Sequence, residues 1–371
     1  MKNRNINNYE DTLCALLKGE HKQKIEVFVL VSLIRIFQFV FKEGMMQLKK
    51  TLAVLCASAT VMATSITTTQ ARDFRAAEVH PNDYPTVMYL KRCGDVISQK
   101  TNGKYNIKVF GNSQLGSEND AIEQVKIGAI DLTRVGSAGF NNIIPESSVP
   151  GLPFVFRDID HFRKAMYGPV GDTLLATFEK HGFIGLAVLE SGTRSIYAKK
   201  PIRTLADAKG LKIRVQQSDL WVDMMKAMGA SPTPIPYGEI YTALKTGLVD
   251  ASENNYPSYE SQKHYEAAPI YSETQHVTFY EIVAFSKKTW DTLPAEDQKI
   301  IREVFKQEIP YYVQEWGKRL EVSKDITIKA GAQYVDDVKR EEFSAVMKPV
   351  WDKYTPTPET KAMLEEIVNT K

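Results

Sequence analysis

An α/β fold in two domains, joined by crossing strands and with a long helix spanning both domains, is what the sequence predicts. Three observations lead there. Strand-like and helical runs alternate from Phe74 onward, the pattern of a mainly parallel sheet with helices on both faces. An apolar run at Phe183 to Leu189 leads through Glu190–Gly192 into a second strand-like run, and His276 to Phe285 supplies a β-rich return, so the chain crosses between domains more than once. A helical segment from Pro294 to about Lys329 is long enough to lie across both, and a chain of 371 residues has room for two domains. The division expected is 72–191 with 280–319 for the first domain, and 192–279 with 320–371 for the second.

At the amino end, Lys49-Lys50, Thr51 to Ala63 and Thr69-Gln70-Ala71 read as the charged, apolar and small-residue regions of a secretory signal peptide over 45–71, cleaved after Ala71. The mature protein is expected to be exported. Cys14 and Cys56 would leave with that segment, so Cys93 has no cysteine to pair with. Ile25 to Phe41 is apolar but short for a membrane anchor and broken by Glu26, Arg35 and Gln38. Lys42-Glu43-Gly44 can be encoded by a purine-rich ribosome-binding site ahead of Met45 and Met46, and 1–44 is read as an upstream extension outside the translated protein.

The elements then follow in order. Phe74 to Val79 is a strand, Tyr84 to Gln99 a helix, Tyr105 to Phe110 a strand. Ser117 to Ile127 is a helix opened by Ser117, with Glu118 and Asp120 in its first turn as an amino-terminal signature. Asp131 to Val135 is a strand and Gly136-Ser137-Ala138-Gly139 the turn after it. Pro150 to Phe154 is a proline-rich turn, Asp158 to Tyr167 and Val170 to His181 are helical, and Ser195 to Lys199 is strand-like. In Leu211 to Val215 the apolar Leu211, Ile213 and Val215 alternate with Lys212 and Arg214, so one face packs and a guanidinium leaves the other. Pro234 to Tyr241 opens a helix, Leu248 to Asn255 is a strand that ends in amides, and the long helix is expected to kink near Pro310.

Composition narrows the function. Hydrophobic residues at 43% and charged residues at 25% are ordinary for a globular protein. Residues 1–71 hold nine Lys/Arg and five Asp/Glu, which leaves 38 basic and 40 acidic residues, net −2, so no basic surface argues for nucleic acid or anionic lipid. None of the six histidines stands at zinc spacing, and neither a nucleophile elbow nor a phosphate loop occurs. No metal, cofactor or catalytic residue is expected; the rival class is an exported hydrolase or lyase acting on acidic sugars.

The candidate site begins with Arg214, at the carboxyl end of its strand, where open α/β sheets bind ligands. A planar fork of donors that stays charged suits bidentate carboxylate capture, the plain alternative being a solvated strand-end charge. Gly192-Thr193-Arg194, the segment ADAKGLKIR, the stretch GASPTPIPYGEIYTALKTGLVDASENN and YESQKHYEAA stand in that order, and with GNSQLGSENDAIEQVKIGAIDLT they carry a resemblance to the DctP-type solute-binding proteins of tripartite ATP-independent periplasmic (TRAP) transporters, over about Phe74 to Gly331.

The resemblance implies a monomeric, periplasmic-binding-protein-like cleft protein without enzymatic activity, which delivers a small organic acid to TRAP membrane permease subunits. It places the carboxylate salt bridge on Arg214 and a second arginine at Arg194, whose alternative role is an interdomain salt bridge. Asn254 falls at the family's amide position beside Asn255, and Tyr237 at a cleft aromatic suited to a sugar face. Glu78 and His80, at the end of the first strand, are candidates for sugar hydroxyls, and Glu78 for repelling a second carboxylate. Gln275 and His276 are further candidates, His276 with the alternative of a packed core residue. Sialic-acid-binding members carry a cleft glutamate where this chain has Gly136. A hexuronate such as glucuronate or galacturonate is the ligand expected, ahead of a C4-dicarboxylate or other simple organic acid.

Overall fold

The computed structural model describes residues 71–371, together with helical residues at 31 and 34–36. The signal peptide and the translation start lie outside the described residues. In chain order the elements are β1 (Arg72–Ala77), α1 (Pro85–Lys100), β2 (Tyr105–Phe110), α2 (Glu118–Ile127), β3 (Leu132–Gly136), α3 (Ala138–Asn141), α4 (Ile159–Met166), α5 (Pro169–Thr177) and β4 (Phe183–Ala198). They continue with α6 (Leu205–Ala208), β5 (Lys212–Val215), α7 (Asp219–Ala227), β6 (Ser231–Pro234), α8 (Ile240–Thr246), β7 (Ala251–Asn254), α9 (Tyr256–Ser261) and β8 (Ile270–Ser286). The last stretch holds α10 (Lys287–Trp290), α11 (Ala295–Gln307), α12 (Ile309–Lys329), β9 (Gln333–Val335), α13 (Arg340–Ala345), α14 (Lys348–Tyr354) and α15 (Pro358–Asn369).

One sheet runs through both lobes in the order β2-β1-β3-β8-β4-β7-β5-β6, with β9 beside β8. It is mixed rather than mainly parallel: β1–β2, β1–β3, β5–β6, β5–β7 and β8–β9 are parallel, and β3–β8, β4–β8 and β4–β7 antiparallel. The two long strands β4 and β8 account for this. The first lobe uses one end of them, through β3 on Glu281 to Phe285, and the second lobe the other, through β7 on Ser195 to Ala198. Between those ends the β4–β8 register slips at Glu190/Thr193 and at Arg194/Ile196, and Gly192 and Gln275 have positive φ. The expected crossing at Glu190–Gly192 is therefore a bulged stretch inside a single 16-residue strand, where an extra residue bends the ladder.

Local chemistry explains several ends. Ser117 and Asp120 form a reciprocal cap on α2, and Gly128 ends it in the left-handed conformation that an unbranched residue adopts without strain. β6 contains Pro232 and Pro234, tolerable because it is the sheet's edge. The expected long helix is two: α11 stops before Glu308, and Pro310 sits in the first turn of α12, where a missing N–H costs nothing. Arg319 of α12 reaches Asp83 ahead of α1 at 3.4 Å and Glu260 of α9 at 2.6 Å, so this 21-residue helix braces both lobes.

Residues 320–371 were expected with the second domain, but their contacts fall on both. Lys353 and Tyr354 of α14 bond Asp223 of α7, while Trp351 Nε1 donates to Pro153 O, and His161 of α4 bonds Ile367 O of α15. Apolar packing follows the same plan. Phe74, Tyr89, Phe285, Tyr312 and Trp316 pack under α1, α11 and α12; Tyr197, Tyr259 and Tyr271 form a smaller second-lobe cluster; and the largest cluster runs from Val135 and Phe140 through Ile213 and Trp221 to Ile367. Cys93 is buried and pairs with no cysteine among the described residues. No helix among the described residues is long and apolar enough to cross a membrane.

Candidate functional site

β5 is short, and its carboxyl end meets the chain returning as β7 and the loop after β6. Both faces are covered, so Arg214 is 3% exposed rather than standing in solvent as the alternation suggested. Its Nε donates to Ile235 O at 2.8 Å; among the described residues nothing else accepts from the guanidinium and no carboxylate lies within salt-bridge distance. Burial lowers its pKa to about 10, with Glu253 the largest opposing influence. Three arginines are buried here, and the other two, Arg134 and Arg194, each have a carboxylate partner.

The side chain faces a cavity of about 30 Å³ between the lobes, lined from the first by His80, Glu118, Arg134 and Gly136, from the second by Arg214, Gln216, Tyr237, Asn254 and Ser258, and from the crossing strands by Arg194, Phe279 and Glu281. A neighbouring space of about 20 Å³ shares Glu118, Arg214, Gln216 and Tyr237 with it.

Arg194 is committed to the protein. Its Nε and Nη2 hold the two oxygens of Glu253 at 2.6 and 2.9 Å, Nη1 donates to Asn254 Oδ1 at 2.7 Å, and its guanidinium lies over Trp221 and Phe279. The β4–β7 register pairs Ser195 with Asn254, which brings these groups side by side. Asn254 Oδ1 also accepts from Asn255 N at 2.9 Å, and its amide nitrogen donates to no other described residue.

Arg134 mirrors this arrangement in the first lobe, holding both oxygens of buried Glu78, with Nε to Oε2 at 2.7 Å. Thr86 Oγ1 and His80 N also donate to Glu78. Burial would raise that carboxyl, but Arg134 outweighs it and holds the pKa at about 2. Glu78, expected to meet sugar hydroxyls, is thus spent on Arg134 and does not line the cavity.

His80 does line it, stacked on Tyr84 at 3.8 Å with Nδ1 unpartnered, and burial followed by Arg134 keeps its pKa near 3, a neutral ring. Tyr237 meets His80 edge-on at 4.9 Å, its hydroxyl unpartnered and pushed by burial to about 12.

Three more expected residues, besides Glu78, lie outside the lining. Asn255 caps α9 through Ser258 N and donates to Ser191, so both ends of its amide are used within the fold. Gln275 faces a separate groove behind the crossing strands, and His276 is fully buried between Thr274 and Glu253. Sequence reasoning missed Arg134, Glu118, Gln216 and Glu281. Glu281 carried a signal: an acid inside the apolar run from Phe279 to Phe285 needs a reason to be there. Gly136 leaves no room for a side chain, since a Cβ would stand 3.0 Å from Phe279 and 3.1 Å from Gln216.

Two larger cavities, of about 540 and 800 Å³, lie elsewhere. The first is an apolar groove between α5, β4 and α11; in the second, Arg163 and Lys324 already face Glu190 and Glu273. Among the described residues no group of His, Cys, Asp and Glu could hold a metal.

Residues 76–357 match the model of the DctP family, described as bacterial extracellular solute-binding protein, family 7. A solute-binding protein of Chromohalobacter salexigens is 35% identical over 303 residues, 81% of this chain and 90% of that one. Among solved structures, a TRAP periplasmic solute-binding protein of Bradyrhizobium sp. BTAi1 in complex with α/β-D-galacturonate is 50% identical, covers 81% of this chain and 100% of its own, and superposes with a TM-score of 0.79. One from Pseudomonas putida F1 with bound D-glucuronate is 35% identical, covers 81% and 98%, and has a TM-score of 0.78.

Proposed function

The chain belongs to family 7 of the bacterial extracellular solute-binding proteins, and on that basis we propose that it captures a hexuronate in the periplasm, D-galacturonate first, and hands it unchanged to the permease of a TRAP transporter. The observation that carries the reading is Arg214, a buried guanidinium with no carboxylate within salt-bridge distance among the described residues, at a cavity between the lobes. A ligand carboxylate supplies the missing anion, in the bidentate geometry for which a guanidinium is shaped. Asn254 nitrogen, His80 Nδ1 and Tyr237 Oη, each without another partner, suit ring oxygens and hydroxyls. The first-lobe wall carries Glu118, which would repel a second carboxylate and so weighs against a C4-dicarboxylate.

Arg214, Arg194 and Asn254 are all buried, so solute enters only when the lobes part about the bulged β4–β8 ladder. Closure then removes the ion pair from water, which is transport without covalent chemistry. The test is a thermal-shift series with D-galacturonate, D-glucuronate and succinate, with mass spectrometry of the recovered solute. A uronate at a hundred times its Kd should add about 2.7 kcal/mol of stability and be recovered intact. A melting point raised by succinate alone, or a chemically altered uronate, overturns the proposal.

A further inference from the structure

Glu281 stands in the middle of β8, opposite Gly136 in the β3–β8 register, with its side chain against the cavity. Its Oε1 accepts from Ser191 Oγ at 3.0 Å and lies 3.4 Å from Arg134 Nη1. Its Oε2 is enclosed and has no hydrogen-bond partner among the described residues. Arg134 cannot serve it fully, because that one guanidinium also holds both oxygens of Glu78 and lies 3.3 Å from Glu118 Oε1. Three carboxyl groups thus share one cation, and a buried carboxylate oxygen with no donor is far costlier than a buried neutral carboxyl.

Groups from several surrounding elements face Glu281. Arg134 comes from β3, Glu118 from α2, Glu78 and His80 from the end of β1, and Tyr84 from the turn before α1. Ser191 comes from β4, Tyr312 from α12, and Arg194 and Arg214 from across the cavity. Among these, Glu78 stays ionised with a pKa of about 2, His80 stays neutral with one of about 3, and Arg214 stays charged below about 10. Burial, opposed by Arg134 and reinforced by Glu78 and Glu118, raises Glu281 to about 7.

We propose that Glu281 is a ligand-contacting, specificity-determining residue that is protonated in the complex and donates its hydrogen from Oε2 to an oxygen of the bound sugar acid, a role that rests on the uronate reading. The ligand brings a negative charge into a cavity where Glu281, its Oε2 served by no donor among the described residues, gains most by losing its own. Binding therefore favours the neutral carboxyl and takes up a proton wherever the free protein is ionised. A ligand lacking an acceptor oxygen at this end leaves the hydrogen unpartnered, so the residue selects hydroxylated acids.

The sign follows from the protonated form binding better: affinity is full below about pH 7 and falls about tenfold per unit above it, until the pKa of the complex is passed. The experiment is calorimetric titration of D-galacturonate at pH 6, 7, 8 and 9, in buffers of different ionisation enthalpy, on wild type and Glu281→Gln. The wild type should show that decline and take up close to one proton per ligand at pH 8. The glutamine variant, which keeps a donor but has no proton to exchange, should show neither slope nor uptake. Wild-type affinity that is flat from pH 6 to 9 without proton exchange, or a glutamine variant that keeps the slope, overturns the proposal. The wild-type measurement stands alone if the variant does not fold. Absence of binding by either uronate at pH 6 overturns the uronate reading and this role with it, whereas binding without proton uptake overturns this role alone.

Discussion

Arg194 Nη1 donates to Asn254 Oδ1 at 2.7 Å, and that bond decides which end of the Asn254 amide meets the cavity. With the oxygen held, the nitrogen is the free end. Arg194 and Arg214 therefore differ in kind: Arg194 is paired with Glu253, and Arg214 has no carboxylate within salt-bridge distance among the described residues.

Removing Arg194 should cost stability first. Glu253 is fully buried, and its carboxyl, which burial would raise, is held below the usual range by Arg194. Breaking such a pair from one side costs about 3 to 5 kcal/mol, so Arg194→Ala should melt roughly 10 °C below wild type. Arg194→Lys should recover only part, since an ammonium cannot hold both Glu253 oxygens and Asn254 together. An unchanged thermal transition would show that the pair contributes nothing.

Glu78 should set an acid limb of stability. Its pKa of about 2 in the fold lies below the ordinary value of 4.5, so its stabilising contribution is complete above 4.5 and disappears as the pH falls towards 2. At 1.36 kcal/mol per unit this amounts to about 3 kcal/mol. Urea unfolding of wild type and Glu78→Gln at pH 7, 5 and 3 measures it. The variant should be weaker at pH 7, and the gap should shrink by more than half at pH 3 on its way to closing near pH 2. A gap that stays constant with pH would mean that Glu78 is not ionised against Arg134.

What the sequence made legible was local. α1, β2 and α2 lie within a residue or so of their expected spans, because apolar periodicity and the Ser117 cap are written in neighbouring residues. What it hid depends on partners far along the chain. Glu190 and Ser191 look like a break between strands, yet Glu190 is buried and held by Arg163 at 2.6 and 2.7 Å, so β4 runs straight through them. Glu78 and Asn255 carry the right groups for a sugar acid, but Arg134, 56 residues away, and Ser191, 64 away, use them first. Arg214, by contrast, donates only to Ile235 O, and no carboxylate among the described residues lies within salt-bridge distance of it.

Arg214→Ala should be the most damaging single change to binding. Losing one partner of a buried, hydrogen-bonded charge pair costs about 2 to 5 kcal/mol, a loss of roughly thirty-fold to several thousand-fold in affinity. Lysine should restore part of it, keeping the charge without two parallel donors. The unliganded fold should respond in the opposite sense. Arg214 has a pKa of about 10 against an ordinary 12.5, so its charged form is disfavoured by folding at every pH below about 10. A Met at this position keeps bulk and sheds that cost, and Arg214→Met should match or exceed the wild-type melting temperature without ligand while failing to respond to D-galacturonate. Calorimetric titration and thermal unfolding of wild type and the Ala, Lys and Met variants give both halves. A variant that melts well below wild type would show that Arg214 is part of the fold, and one that melts normally and binds normally would place the carboxylate elsewhere in the cavity.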